Sequence, residues 1–93
     1  MGTPINAVDY GCMMHDYRFG RSGADWTNMQ SDANWNKLRP DQQRLVQHYN
    51  QELCDTMTGV LPTIPSWNIS ESTAAKEINI FFHKFVPVGA RCK

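Results

Sequence analysis

Ile5-Asn6-Ala7-Val8-Asp9-Tyr10-Gly11-Cys12-Met13-Met14-His15-Asp16-Tyr17-Arg18-Phe19 is the stretch on which the reading of the chain turns. Val8, Cys12, His15 and Phe19 recur at spacings of four, three and four, which puts them on one face of an α-helix. That face looks inward, and it carries a histidine. Gly20 and Gly23, with Ser22 between them, supply helix-stop and turn chemistry, so the chain is expected to reverse there.

Working outward, a second, shorter and more polar helix is expected over about Thr27 to Leu38, with Asp32 and Trp35 sharing a face. It ends before Pro40, because the residue preceding proline avoids helical angles. Pro40 suits a first helical position. The third helix that follows carries Leu45, Val46, Tyr49, Leu53 and Met57 as an apolar stripe and closes at Thr58-Gly59. Residues 59–70 read as an irregular connection with a short extended piece at Val60-Leu61, and with Trp67 as a candidate pin to the core. Asn68-Ile69-Ser70 matches a glycosylation acceptor and reads as loop. Ser/Thr capping chemistry then opens a last helix, about Ser72 to Phe85, that buries Ala75, Ile78, Phe82 and Phe85. The fold class is therefore all-α: two packed central helices and a C-terminal helix, with no internal repeat and no interior linker.

Bulk properties limit what such a domain does. A chain of 93 residues forms one domain with a modest core. Nine basic residues balance nine acidic ones, which argues against nucleic acid as a partner. The longest mostly apolar run, Ile78 to Val88, is broken by Asn79, His83 and Lys84, too short and too polar to span a bilayer. No basic region followed by an apolar run opens the sequence, so it reads as carrying no secretion signal of its own. Cys12, Cys54 and Cys92 are an odd number without CxxC spacing and do not read as a disulfide framework. The one bridge the helices suggest joins Cys12 to Cys54.

Residues 2–16 read Gly-Thr-Pro-Ile-Asn-Ala-Val-Asp-Tyr-Gly-Cys-Met-Met-His-Asp. This resembles the phospholipase A2 superfamily pattern Gly-Thr-Pro followed by Asp-x-x-Cys-x-x-His-Asp, with the low-cysteine viral and bacterial members most similar. Pro4, Asp9, Cys12, His15 and Asp16 fall at the family's relative spacing, and Ser31-Asp32-Ala33 opens a second helix downstream. The resemblance implies one phospholipase A2-like domain over residues 1–93 that hydrolyses the sn-2 ester of a glycerophospholipid. Its expected partner is a phospholipid membrane surface or micelle, bound peripherally. Its expected setting is secretion or delivery as an effector or toxin domain within a larger polypeptide.

The residues themselves state the chemistry. Neighbours on a helix point about 100° apart, so His15 and Asp16 flank one pocket in different roles. An imidazole takes a proton from the attacking water when its other ring nitrogen is held by an acceptor, and Asp32 is the candidate acceptor, ahead of Asp25 in the turn. A carboxylate at Asp16 is a hard ligand for Ca²⁺, the cofactor the resemblance implies, and Ca²⁺ polarises the ester carbonyl. The expectation requires that the ring of His15 face away from bulk solvent and reach an acid other than Asp16.

Two departures from the family pattern stand out. Related enzymes carry a glycine-rich loop before Gly-Thr-Pro whose carbonyls complete the calcium shell, and the sequence reads as lacking it. Phe19 stands where many relatives carry a tyrosine, and it has no hydroxyl to donate. An alternative reading keeps the scaffold without the reaction: a lipid- or protein-binding module recognised by an inhibitor, with Trp26, Trp35, Trp67 and Met13-Met14 as contact candidates. Tyr17, Arg18 and Arg21 are candidate phosphate or lipid-surface contacts, while His48 and His83 read as structural or surface residues.

Overall fold

The structure is a computed structural model and describes residues 6–93, so the Gly2-Thr3-Pro4 limb of the motif lies outside the described residues. The described residues form four α-helices joined by 3₁₀ turns, with no strand among them, as the hydrophobic periodicity predicts. Helix α1 (Ala7–Arg21) begins where the Asn6 side chain accepts the Asp9 N–H at 2.8 Å. It passes through Gly20 and ends at Ser22, whose hydroxyl donates to the Phe19 carbonyl at 2.6 Å. The reversal falls to Gly23, whose φ of +84° is a left-handed conformation that side chains resist. Gly20 alone weakens the helix without ending it.

Thr27 to Leu38 is not one helix. A 3₁₀ turn, Trp26–Met29, is capped by Asp25, and a separate one-turn helix α2 (Asp32–Trp35) is capped by Ser31. The polar side chains bond locally: Thr27 N–H reaches Asp25 at 2.9 Å, and Asn34 N–H reaches Ser31 at 3.1 Å. Each such bond offers the backbone an alternative to a continuous helix.

Helix α3 (Pro40–Val60) starts with Pro40 in its first turn and runs beyond Thr58-Gly59 straight into a 3₁₀ turn, Leu61–Thr63, so no extended piece forms at Val60-Leu61. Helix α4 (Ile69–Lys84) starts earlier than expected, because Asn68 caps it by accepting the Glu71 N–H. Asn68-Ile69-Ser70 is thus a helix start and not a loop. Ala75 and Phe82 face the core, but Phe85 is 70% exposed; its expected place is taken by Val86, four residues after Phe82 and buried. Trp67, at 79% exposed, pins nothing.

Helices α1 and α3 pack on each other and α4 packs on α3, enclosing Val8, Phe19, Val46, Leu53, Met57, Ala75 and Phe82. The approach of α1 to α3 is close at Gly11, where a Cβ would meet the Met57 methyl at 2.7 Å. Past α4 the chain makes a 3₁₀ turn, Val88–Ala90, and returns along α3. Gly89 sits against Trp35, and a Cβ there would lie 2.7 Å from the indole Nε1. The indole is rigid and buried, so Gly89→Ala is expected to destabilise by about 1–3 kcal/mol, read as a lower midpoint in chemical denaturation.

The bridge joins Cys54 to Cys92, with Cα atoms 6.6 Å apart, and not Cys12 to Cys54. Cys54 meets His83 of α4 and the returning C-terminal residues. Cys12 is a free, half-buried thiol whose pKa is raised, by burial first and then by Asp16 and Asp9. A closed segment with a sequence separation of 38 residues makes the bridge worth about 4 kcal/mol on loop-closure entropy. Its reduction should lower the denaturation midpoint accordingly.

Candidate functional site

His15 is set by its place on α1, four residues before Phe19 and on the buried face. Its ring lies among Phe82 at 5.1 Å, Phe19 at 5.9 Å and Trp26 at 6.1 Å between centroids. The imidazole is 4% exposed, away from bulk solvent as expected. Burial holds its pKa below the ordinary histidine value, opposed in part by the hydrogen bond it makes to Asn50 and by the charge of Asp16.

The acceptor is not Asp32. His15 Nε2 lies 2.7 Å from the Oδ1 of Asn50, which is fully buried on α3. Asp32 stands in the first turn of α2, exposed, and lines a different cleft with Gln30, Phe85 and Arg91. The capping that divides the second helix accounts for this, since Ser31 at the cap leaves Asp32 in a solvated first-turn position. Asp25, the second choice, is occupied with capping at Thr27 and Asn28. The acid beside the His15 ring is therefore its sequence neighbour, Asp16, whose Oδ1 lies 3.9 Å from Nδ1 and whose side chain is 60% exposed. The requirement for an acid other than Asp16 is not met, and an amide stands in its place.

That amide has a defined orientation. Asn50 Nδ2 donates to the Ala90 carbonyl at 2.9 Å, and a carbonyl only accepts, so Oδ1 is the end presented to His15. The ring must then carry its proton on Nε2, which leaves the lone pair on Nδ1, the nitrogen on the Asp16 side. Sequence reasoning missed Asn50, although a signal was there: Val46, Asn50, Leu53 and Met57 share one helical face, and asparagine is the polar residue on it.

His15 borders a pocket of about 170 Å³ between α1 and α3, with Tyr10, Gly11, Met14, Arg18, Tyr49 and Glu52 among its lining. This is smaller than the roughly 300 Å³ at which drug-sized ligand sites begin, so it suits a polar reacting group and not a whole lipid. Arg18 is paired with Glu52, which also accepts from His48 at 2.8 Å. Arg21 lies over the Tyr17 ring at 5.7 Å. A separate, larger cleft of about 340 Å³ runs between α1 and α4, with Val8, Cys12, Ala74 and Ile78 on its walls and Asp9 and Glu71 among its polar residues.

The described residues do not by themselves make a calcium site at Asp16. Ca²⁺ takes six to eight oxygen ligands. Among the described residues no group of three metal-ligating side chains includes Asp16; the one such cluster is Cys54, His83 and Cys92, within 4.8 Å of one another. Those are soft donors unsuited to calcium, and the disulfide occupies both sulfurs. No helix among the described residues is long and apolar enough to cross a membrane. No family model, curated protein or solved structure matches the chain.

Proposed function

We propose that the chain is a phospholipase A2-like hydrolase domain in which His15 is the general base. The observation that supports this most is the Asn50 contact: an amide whose Nδ2 is engaged by Ala90 presents Oδ1 to Nε2, so the neutral ring keeps its proton there and turns the Nδ1 lone pair toward Asp16. When an asparagine replaces the orienting acid of a serine-protease triad, about 10⁴-fold in rate is lost because the wrong tautomer results. Here the second end of the amide is already committed, so the wrong tautomer is disfavoured.

A water between Nδ1 and Asp16 would give its proton to Nδ1 as it attacks an ester carbonyl, and Asp16 stabilises the imidazolium that forms. The leaving alkoxide then recovers that proton. The substrate is the sn-2 ester of a glycerophospholipid, presented at a membrane or micelle surface. Half-exposed Trp26 beside His15, Phe81 on α4 and Phe85 at its C-cap give that end of the domain an apolar surface. Calcium dependence is the part of the family chemistry for which the described donor set falls short; Asp16 is the carboxylate through which added Ca²⁺ would act.

A second reading is favoured by one observation: among the described residues the buried ring has no carboxylate partner other than Asp16. In it the chain is an inactive relative that binds lipid, an inhibitor or its parent polypeptide. Release of fatty acid from phospholipid micelles labelled separately at sn-1 and sn-2, with and without Ca²⁺, distinguishes the two. Release confined to sn-2 supports the hydrolase. Co-sedimentation with vesicles without release supports the binder.

A further inference from the structure

Residues 90–93 lie along one stripe of α3. Gln47 Nε2 donates to the Arg91 carbonyl at 3.1 Å, Asn50 Nδ2 to the Ala90 carbonyl at 2.9 Å, and the Lys93 N–H to Gln51 Oε1 at 2.7 Å. Cys54 closes the stripe with its bridge to Cys92. Positions 47, 50, 51 and 54 are three or four residues apart, hence on one face of the helix. On the other side the Cys92 N–H donates to the Phe82 carbonyl at 2.9 Å, and Arg91 Nε to the Val86 carbonyl at 3.0 Å. The C-terminal residues are thus a strap across α3 and α4, and its covalent anchor lies one helical turn from Asn50. The Cys92 sulfur is 3.1 Å from the Asn50 backbone carbonyl.

Asn50 has one accepting and one donating end, and the Ala90 carbonyl is the group that selects which of them faces His15. Without the bridge, the strap is held by a few hydrogen bonds, one of them from the charged Arg91 side chain, and by the burial of the small Ala90 and Cys92 side chains. The net gain of these is comparable to the entropy lost in ordering the residues that make them. We infer that the Cys54–Cys92 bridge is a redox-responsive positioning element for His15: bridged, it holds the strap that orients the Asn50 amide, and reduced, it frees that amide to turn. A dithiol reductant supplies the chemistry. Its thiolate attacks one sulfur and breaks the Sγ–Sγ bond; its second thiol then closes the reductant into a cyclic disulfide. Two electrons and two protons pass to Cys54 and Cys92, which become thiols.

The functional consequence rests on His15 being the base, but the positioning is measurable without any activity. The experiment is ring-nitrogen NMR of the histidine-labelled chain, oxidised and then dithiol-reduced, with a chelator present so that the freed thiols and His83 hold no metal. Amide hydrogen exchange at Cys92 reports the strap. Oxidised, His15 is expected as a single Nε2–H tautomer. Reduced, Cys92 should exchange about tenfold faster or more, and the His15 nitrogens should move to a mixture of tautomers. Should the reduced chain lose its helical circular dichroism, the Cys54→Ala/Cys92→Val pair keeps apolar packing without the covalent link and carries the same comparison. A strap still protected after reduction, or a released strap with an unchanged His15 tautomer, overturns the inference. Absence of lipid hydrolysis in both redox states counts against the hydrolase reading and leaves this result standing.

Discussion

His15→Gln is expected to lower sn-2 fatty-acid release by about 10²–10⁴-fold while leaving the helical content intact. Glutamine is the informative replacement because its amide retains a donor toward Asn50 Oδ1 and so removes the base with little loss of folding. His15→Ala would also empty a buried site among Phe19, Trp26 and Phe82, and its loss of activity would be mixed with loss of fold. Asp32→Asn serves as the contrast. Its carboxylate lines another cleft, so activity should stay within about twofold of the parent, the scatter expected of surface changes. A micelle assay of the three proteins, corrected for folded fraction, decides the matter.

Asn50→Ala is expected to destabilise the chain by about 3–5 kcal/mol, measured by denaturant titration. The amide is fully buried and serves two partners, so its removal leaves the His15 N–H and the Ala90 carbonyl without the bonds they have now. Each orphaned group costs about 1–3 kcal/mol, and the cavity adds to that. Set against a total of about 5–15 kcal/mol for a domain, this is a large fraction. Asn50→Asp tests the same logic differently. A carboxylate accepts well from imidazole and should raise the His15 pKa, but it offers no donor to the Ala90 carbonyl, which lies 2.9 Å from the present amide nitrogen. The variant is expected to strengthen one bond and weaken the strap. Asparagine is the residue that serves both neighbours.

Where the chain was legible and where it was not follows from the range of the interactions. The inward face of α1, with Val8, His15 and Phe19 buried, was readable because helical periodicity is local. The start of α3 at Pro40 was readable for the same reason. The broken second helix was not, since caps at Asp25 and Ser31 compete with propensity over a few residues and periodicity does not report them. The strap lay further out of reach. Asn50 meets Ala90 across a sequence separation of 40 and Cys54 meets Cys92 across 38, and neither pairing has a local signature. The assignment of Asp32 as the orienting acid failed on that account: two helices were assumed to face each other, and the helix facing His15 is α3.

The most direct measurement is the titration of His15 in the oxidised chain, followed at both ring nitrogens by NMR. The expected result is a neutral ring protonated at Nε2 and bare at Nδ1, gaining its second proton only below the ordinary histidine pKa of about 6.5. Because the folded pKa is depressed, the unfolded chain binds the proton first as pH falls. The contribution to stability is therefore intact above about 6.5 and diminishes from there down to the folded pKa. A neutral ring protonated at Nδ1, or a midpoint at or above the ordinary value, would contradict it.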